Sequence, residues 1–304
     1  MIKIEALTTE SRNVNSAYID QMSTREILKT INEEDQTVAY RVEDVLPEIA
    51  ATVEIVYESL LAGGRLFYVG AGTSGRLGIL DAVECPPTYR TPPELVQGIM
   101  AGGSRALVQA VEGAEDDIHL GAIDLAEKEL TQLDVVIGIA ASGRTPYVVG
   151  ALQYAKQIGA KTISLSSNKE SIIGKCADVA IEVVTGPEVI TGSTRMKAAT
   201  SHKLVLNMIT TSTMIKLGKV YENLMVDLNA SNEKLKERAK NIVATITDAP
   251  YKTVEEVLEL TSYEVKPALV MIETNVTLDH AKRYIQLSNG FVRTAIELAK
   301  QEHI

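Results

Sequence analysis

The sequence predicts an α/β protein, a three-layer αβα sandwich with a five-stranded parallel sheet in the middle layer. Five short apolar runs predict the strands: LFYVG (66–70), LVQGIM (95–100), VVIGIA (135–140), KTISLS (161–166) and DVAIEVV (178–184). Continuous rather than alternating apolar residues indicate strands buried on both faces, as in parallel sheets. Helical segments separate these runs, as right-handed crossovers between parallel strands require.

Helical segments also precede the predicted sheet. Ser23 and Glu26 have the spacing of a capping box, which predicts a helix start at this point. A longer helical stretch runs from about Val38 to Leu61, and the Gly63–Gly64 pair that follows is typical of a helix end. Residues 1–54 are therefore expected to form an N-terminal helical segment.

The chain after the fifth strand is expected to be helical throughout. One long helix is predicted from about Ser193 to Leu217, another from Asn232 to Ile246, and three short helical pieces after that. We therefore predict an α/β domain over residues 55–220. A C-terminal helical region should follow over 221–304, with a small helical subdomain from about residue 250.

Composition argues against several classes of protein. The formal net charge of −10 over 304 residues disfavours non-specific nucleic-acid binding, which needs a basic surface. Cys85 and Cys176 are the two cysteines, so no disulfide framework is expected. No run approaches 18 consecutive apolar residues, and the N-terminus lacks an apolar signal region. We expect a soluble cytoplasmic protein with no nucleic-acid or membrane partner.

A glycine-rich turn follows the first strand, with Gly72, Thr73, Ser74 and Gly75 at the start of the next helix. Backbone N–H groups at a helix N-terminus bind phosphate readily. The spacing also fits a dinucleotide-binding turn, but the second strand ends MAGGS (100–104), without a carboxylate to hold a ribose. The turn therefore suits one phosphate monoester better than a pyrophosphate. A tight turn without any ligand remains the alternative.

A second hydroxyl-rich loop follows the third strand, with Ser142, Gly143, Arg144 and Thr145 before Pro146. Proline is well tolerated in a first helical turn, where its missing N–H costs nothing. A single loop of this kind is a common helix cap. Two of them at neighbouring strand ends of one sheet predict that both sides of a phosphosugar are bound.

A third anion-friendly segment is expected at the entrance to the long helix. Ser193, Thr194, Arg195 and Lys197 combine hydroxyls with two cations beside a helix N-terminus. An ordinary N-cap by Ser193 is the alternative explanation of the same residues.

Two glutamates are the candidate acid and base. Glu84 directly precedes Cys85-Pro86-Pro87, which is expected to end the helix that begins at the glycine turn. A carboxylate at a helix C-terminus feels the negative end of the dipole, which favours its protonated form and an acid role. Glu115 lies near the start of the next helical run, where the ionised form and a base role are favoured. Carboxylates at helix ends are often merely solvated, which is the alternative for both.

Metal and cofactor sites are not predicted. The four histidines, His119, His202, His280 and His303, make no metal-ligand spacing with another histidine, cysteine or carboxylate on one helix face. We found no arrangement of a serine or cysteine nucleophile with a histidine base. The expected chemistry therefore uses carboxylates alone, with no cofactor.

Taken together, four motifs resemble the N-acetylmuramic acid 6-phosphate etherases. They are GAGTSGRLGILDAVECPPTY, EGAEDD, ASGRTPYV and GPEVITGSTRMKAATSHKLVLNMI. The resemblance runs nearly end to end, including TTESRN and IDQMST near the N-terminus. The long fourth motif is highly specific, whereas the glycine turn alone is weak. The chain has Val14 where the family pattern leads us to expect proline, which affects only the local N-terminal conformation.

This resemblance implies a fold, an activity and a role for each glutamate. The family belongs to the sugar-isomerase (SIS) domain superfamily, of which the glucokinase regulatory protein is a larger member. The implied sugar-phosphate-binding SIS domain is the α/β domain at 55–220. A cytoplasmic homodimer would cleave the D-lactyl ether of N-acetylmuramic acid 6-phosphate, giving N-acetylglucosamine 6-phosphate and D-lactate in cell-wall recycling. Glu84 would correspond to the proton donor and Glu115 to the second acid/base.

The chemistry of such a reaction requires little more than two carboxylates. Opening of the sugar ring exposes an aldehyde at C1, which acidifies the C2 proton. A base then removes this proton while an acid protonates the departing lactate oxygen, and water adds at C3. Each carboxylate contributes about 10²–10⁴ in rate. The phosphate is remote from the reacting bond, so its contacts supply positioning.

Two other functions remain open at this point. An aldose–ketose isomerase of the same fold would bind the phosphate in the same way, but would not need an acid placed for a leaving group at C3. A non-catalytic sugar-phosphate sensor would resemble the larger regulatory relative. The single SIS-like unit of this chain and the presence of both glutamates argue against a sensor.

Overall fold

The computed structural model describes residues 7–109, 111–230 and 232–302, which form two compact units. The first unit comprises Met1–Val83 and Pro93–Thr210, and the second comprises Glu84–Pro92 and Thr211–Ile304. The divisions fall inside two helices, so the predicted domain boundaries at residues 54 and 220 remain predictions.

The first unit is built on a five-stranded parallel sheet, as predicted. Its strands are β1 (Leu66–Gly70), β2 (Val96–Met100), β3 (Val135–Ile139), β4 (Lys161–Ser166) and β5 (Val179–Glu182). They lie in the order β2-β1-β3-β4-β5. The chain adds β2 on one side of β1 and then β3 on the other side, so the strand order reverses between β1 and β3. Ligands of open α/β sheets bind at such a switch point. The last residue of β1, Gly70, pairs with Met100 on one side and Ile139 on the other.

Helices surround the sheet and make up most of the second unit. They are α1 (Thr24–Asp35), α2 (Val38–Glu43), α3 (Leu46–Leu61), α4 (Gly72–Tyr89), α5 (Leu120–Glu127), α6 (Pro146–Ile158), α7 (Ile172–Cys176), α8 (Lys197–Lys216), α9 (Glu233–Thr247), α10 (Tyr251–Leu260), α11 (Val265–Thr274), α12 (Leu278–Leu287) and α13 (Val292–Glu302). A short antiparallel pair, β6 (Val220–Tyr221) and β7 (Leu224–Met225), precedes α9. None of the helices in the described ranges is long and apolar enough to cross a membrane.

Two predicted helices are each divided in the structure. The stretch from Val38 to Leu61 forms α2 and α3, because Pro47 in the first turn of α3 has no N–H to continue the preceding helix. The last predicted tail piece forms α12 and α13. The Gly290 N–H donates to the carbonyl of Ile285 at 2.8 Å, which closes the end of α12.

Helix α4 differs most from its prediction. It continues through Pro86 and Pro87 to Tyr89, whereas we expected it to end at Glu84. The two prolines remove two backbone donors, but the ladder resumes when the Arg90 N–H donates to the Pro86 carbonyl at 2.9 Å. Glu84 therefore lies inside α4 and not at its end, so the predicted placement of this residue at a helix C-terminus is wrong.

The two units have separate apolar cores. In the first, Phe67, Val136 and Leu152 are fully buried between the sheet and its helices. In the second, Val254 and Leu269 belong to a core made by helices. Full burial of such a side chain contributes about 1.5–3 kcal/mol. Tight packing on the sheet gives the loops at its carboxyl edge a fixed base.

One buried ion pair secures the opposite edge of the sheet, where the strands begin. The carboxylate of Asp134 is 2.9 Å from the Arg65 guanidinium and also accepts the N–H groups of Arg65 and Thr131, each at 2.8 Å. Burial by itself would raise the pKa of Asp134, but the hydrogen bonds from Arg65 and Thr131 outweigh it and hold the pKa below its usual value.

Replacing Asp134 with Asn should therefore destabilise the protein in a pH-dependent way. We expect the free energy of unfolding at pH 7 to fall by about 2–4 kcal/mol, since the variant leaves the guanidinium and N–H donors poorly matched. A carboxyl group whose pKa is lower in the folded state than in the unfolded state, where it is near 4, stabilises the fold at pH values above the unfolded pKa. This contribution to the free energy of unfolding is lost as the pH falls. In urea unfolding at pH 7 and pH 3, the difference in the free energy of unfolding between the variant and wild type should be smaller at pH 3. A difference independent of pH would contradict this account.

Candidate active site

The glycine turn after β1 brings the end of a strand and the start of a helix very close together. A Cβ atom on Gly70 would lie 2.7 Å from the Gly75 nitrogen, and one on Gly75 would lie 2.6 Å from the Met100 Cβ. Side chains are impossible at both positions without moving the backbone. Helix α4 begins at Gly72, so the first N–H groups of the helix, including those of Thr73 and Ser74, have no carbonyl partner within it. The half-buried Thr73 and Ser74 hydroxyls flank these donors.

The loop after β3 lies beside this turn, because β1 and β3 are neighbours in the sheet. Gly143 has a φ of +72°, and a Cβ atom there would lie 2.4 Å from the Ser171 Cβ. Ser142, Arg144 and Thr145 around it are half-buried. The side chain of Thr145 makes no capping hydrogen bond to α6, so its hydroxyl does not serve the helix as an N-cap.

Asn168 fixes the position of this second loop. Its side-chain amide donates to the Ala141 carbonyl at 3.0 Å and to the Thr9 hydroxyl at 3.2 Å. The residue is 3% exposed. This buried amide, which the sequence analysis missed, ties the start of the loop to the N-terminal segment. Its sequence signal is weak: a polar residue two positions after the end of β4.

Glu115 shares a pocket with the glycine turn. The pocket has a volume of about 220 Å³, and its lining includes Gly72, Arg76, Glu112 and Glu115. The Arg76 guanidinium donates to the carbonyls of Ala106 at 2.7 Å and Leu107 at 3.0 Å, so it holds the pocket wall. The Glu115 side chain is exposed at this edge.

The backbone of Glu115 is anchored to the second loop as well. Its carbonyl accepts the Tyr147 N–H, in the first turn of α6, at 3.1 Å. Tyr147 is fully buried, and its hydroxyl donates to Asp124 at 2.5 Å. The structure thus brings the first turn, the second loop and Glu115 together at the switch point of the sheet.

The third predicted segment is arranged differently. Helix α8 begins at Lys197 rather than near Ser193. Its N-terminus is occupied by the buried Glu188 carboxylate, which accepts the N–H groups of Lys197 and Ala198, each at 2.9 Å. Ser193 is therefore not the N-cap. The Lys197 ammonium is buried against the Glu34 carboxylate.

These carboxylates leave the third segment with fewer N–H donors and less positive charge for binding an anion. Its helix N-terminus and its lysine both have acidic partners within the first unit. Ser193 and Thr194 are half-buried and Arg195 is exposed. Neither Glu34 nor Glu188 was recognised from the sequence as a partner of this segment. Glu34 is distant from it along the chain, and Glu188 precedes it without a recognisable capping spacing.

Glu84 is an exposed residue of α4 and is assigned to the second unit, whereas Glu115 belongs to the first. Its neighbour Cys85 is 3% exposed. The catalytic role of Glu84 remains a prediction from the sequence.

A buried carboxylate on α4 was also missed. Asp81 is 6% exposed and accepts hydrogen bonds from the Tyr68 hydroxyl at 2.9 Å and the Asn207 amide at 2.6 Å. Burial raises its pKa, and these donors oppose the rise. The contacts join β1, α4 and α8 beneath the glycine turn, so Asp81 has a structural role in holding the helix that carries the turn.

His202 lies inside the first unit at 1% exposure. Its Nε2 is 3.1 Å from the Ser167 hydroxyl, just after β4. Burial lowers the pKa of His202 to about 4, and a hydrogen bond to the Ser166 backbone opposes this only partly. The ring is therefore neutral at pH 7 and supports the loop that carries Asn168.

This burial predicts an acid-sensitive contribution to stability. Between about pH 6.5 and pH 4 the unfolded chain takes up a proton on His202 that the folded chain rejects, so stability falls as the pH falls. We expect His202→Gln to remove this part of the pH dependence, while His119→Gln, an exposed histidine, should leave it intact. Urea unfolding at pH 7, 5.5 and 4.5 measures both; parallel curves for wild type and His202→Gln would refute the prediction.

No cluster of three or more His, Cys, Asp and Glu side chains within residues 7–109, 111–230 and 232–302 is arranged to hold a metal ion. The candidate site combines the backbone donors and hydroxyls of the two loops after β1 and β3 with the Glu115 carboxylate, which shares a pocket with Gly72.

Comparison with solved structures agrees with this architecture. Phosphoheptose isomerases from Neisseria gonorrhoeae and Francisella tularensis superpose with a TM-score of 0.50 each. They are 18% and 16% identical, and cover 62% and 64% of this chain and 98% and 100% of their own. At this identity the likeness concerns the fold alone.

Comparison of sequences gives a closer relationship. The family model for the glucokinase regulatory protein N-terminal SIS domain matches residues 48–156, and the SIS domain model matches residues 116–212. Proteins named N-acetylmuramic acid 6-phosphate etherase align over almost the whole chain. The one from Bacillus subtilis (strain 168) is 56% identical over 296 residues, 97% of each chain. The one from Pasteurella multocida (strain Pm70) is 52% identical, covering 98% of this chain and 99% of its own. This chain belongs to the N-acetylmuramic acid 6-phosphate etherase family.

Proposed function

We propose that this protein is a carbon–oxygen lyase that cleaves the D-lactyl ether of N-acetylmuramic acid 6-phosphate. The products are N-acetylglucosamine 6-phosphate and D-lactate, which serves the catabolism of cell-wall amino sugars. The observation that carries this proposal is identity of 52–56% with relatives of that name over nearly the full length of the chain. The pocket shared by the glycine turn and Glu115 supports it, since it combines phosphate donors with a carboxylate.

The phosphosugar binds, in this proposal, across the two neighbouring loops. Gly72, Thr73, Ser74 and Gly75 offer N–H groups and hydroxyls from the first turn, and residues 142–145 offer them from the second loop. Both are held on rigid strand ends, so little ordering is needed on binding. Residues 193–195 complete the binding edge, and Lys197, held by Glu34, positions this segment rather than contacting the phosphate.

Glu84 and Glu115 are the proposed acid and base, respectively. Glu115 removes the C2 proton of the ring-opened sugar, and Glu84 protonates the lactate oxygen as the C3–O bond breaks. The base then delivers water to C3 of the unsaturated aldehyde. This order needs neither a metal nor a nicotinamide, because the C1 aldehyde stabilises the charge that develops at C2. We further propose that the protein acts in the cytoplasm as a homodimer.

The decisive experiment supplies the purified protein with N-acetylmuramic acid 6-phosphate and follows D-lactate with a coupled dehydrogenase. In deuterium oxide the sugar product should carry deuterium at C2, and in ¹⁸O-labelled water it should carry the label at C3. Label in lactate would indicate cleavage on the other side of the ether oxygen and would rule out the elimination.

The same experiment also distinguishes the two alternative functions, an isomerase and a sensor, from the proposed lyase. An isomerase would give a rearranged sugar phosphate without lactate. A sensor would bind the sugar phosphate, as measured by calorimetry, and leave it unchanged. Either outcome would refute the proposed lyase activity.

A further inference from the structure

The second unit contains a pocket of its own, with a volume of about 390 Å³. This is within the size range of small-molecule sites, which is about 300–1,000 Å³. Its apolar lining residues are Val226, Leu228, Val265, Pro267 and Ile285, and the remaining lining residues are charged. Apolar lining combined with polar groups is the usual composition of a site for a small organic ligand.

The charged lining carries more cations than carboxylates: Arg90, Lys266 and Lys282 against Asp227 and Glu264. Among the described residues, the ion pairs of this lining join Arg90 and Lys282 to Glu264, and Lys266 to Asp227. The lining therefore has an excess of one positive charge, and Lys219, which is outside the lining, adds a second cation beside Asp227. This excess lies in a protein whose formal net charge is −10, so it is not a reflection of composition.

Lys266 is the most deeply buried cation of the pocket. Lys266 is 8% exposed, and its ammonium lies 2.7 Å from an Asp227 oxygen that Lys219 also contacts at 3.0 Å. Burial lowers the pKa of Lys266 and Lys219 lowers it further, while Asp227 opposes both effects. A buried ammonium that shares a carboxylate with a second lysine gains from an additional anion.

Arg90 is held at the rim in an unusual backbone conformation. Its φ is +52°, in the left-handed region that glycine or asparagine usually occupies at the end of a helix. An arginine there is strained relative to glycine or asparagine. The guanidinium contacts Glu264 at 3.4 Å and is 52% exposed, so it retains donors for a ligand.

We propose that this pocket binds a small phosphate monoester, separate from the substrate at the sheet. The phosphate would lie among Arg90, Lys266 and Lys282, and the organic part would contact the apolar lining residues. A phosphate monoester carries a charge of about −1.5 to −2 at neutral pH, so the excess of cations in and beside the pocket attracts it. Arginine supplies paired donors for phosphate oxygens, and the lysines supply point charges.

Hydrogen-exchange mass spectrometry with inorganic phosphate as the probe tests this proposal. Ionic strength is kept constant with chloride. At a phosphate concentration ten times its dissociation constant, local opening at the pocket should slow about tenfold. We expect slower exchange at residues 224–228 and at the start of α11, with no comparable change over α10. These peptides carry lining residues of this pocket and none of the pocket at the glycine turn, so the pattern distinguishes the two sites.

The variants isolate the rim cations. The double substitution Arg90→Asn and Lys282→Gln should abolish the slowing; asparagine tolerates the left-handed conformation, and the buried Lys266–Asp227 pair remains. Lys252→Gln, on exposed α10, is the matched control and should respond as wild type does. No slowing in the wild-type protein, or equal slowing in the double variant, would overturn the proposal.

Discussion

Replacing Glu115 with Gln is expected to slow the release of D-lactate by about 10²–10⁴, the contribution of one positioned acid or base. Glutamine keeps the size of the side chain but cannot take the C2 proton. The side chain is exposed, so the free energy of unfolding should stay close to that of wild type. Because the phosphate loops are unchanged, the loss should fall on kcat rather than on KM. Steady-state assay of D-lactate measures both constants.

The neighbouring carboxylate in the same loop provides the control. Asp116→Asn removes one negative charge at an exposed position beside Glu115, and should change the rate by less than about threefold. Deuterium exchange at C2 of the substrate should stop in Glu115→Gln and continue in Asp116→Asn. Normal C2 exchange in Glu115→Gln would show that another group is the base.

The second large effect is expected for Glu84→Gln. Without a proton donor the lactate oxygen must leave as an alkoxide, so D-lactate release should fall by about 10²–10⁴. The C2 proton is removed by a different residue in this mechanism. Exchange of that proton with deuterium oxide should therefore persist while ether cleavage is lost, which a merely misfolded variant would not show.

An exposed glutamate of the same unit serves as the control for this variant. Glu297→Gln lies on α13 and changes the net charge by the same amount. It should retain wild-type release of D-lactate. If Glu84→Gln lost both C2 exchange and D-lactate release, the separate roles of the two glutamates would be wrong.

The predicted sheet was confirmed because its signal is local. Each strand is a run of apolar residues that must be buried on both faces, and turns with glycine or serine bound the runs. LFYVG (66–70) and KTISLS (161–166) agree with β1 and β4 residue for residue. The glycines at 70 and 75 permit the close approach of β1 and α4, because a Cβ atom at either position would clash.

Local rules were insufficient where tertiary contacts compete with them. Prolines at 86 and 87 were expected to end a helix, yet α4 continues to Tyr89. Lys197 was expected to offer a free cation, but Glu34, far away in the sequence, neutralises it. The partners of Asp81 and His202 come from other elements, so no spacing along the chain identifies them.

The sequence by itself determined the parallel α/β fold and the family, and it supplied the two loops proposed to bind phosphate and the candidate glutamates. All of these features follow from apolar runs, glycine positions and motifs, each of which is a short stretch of consecutive residues. Only the tertiary structure decided which charges are free to meet a ligand. Burial and ion pairing depend on residues far apart in the chain, and they leave the first two loops open, occupy the third with Glu188 and Glu34, and gather excess cations around Lys266.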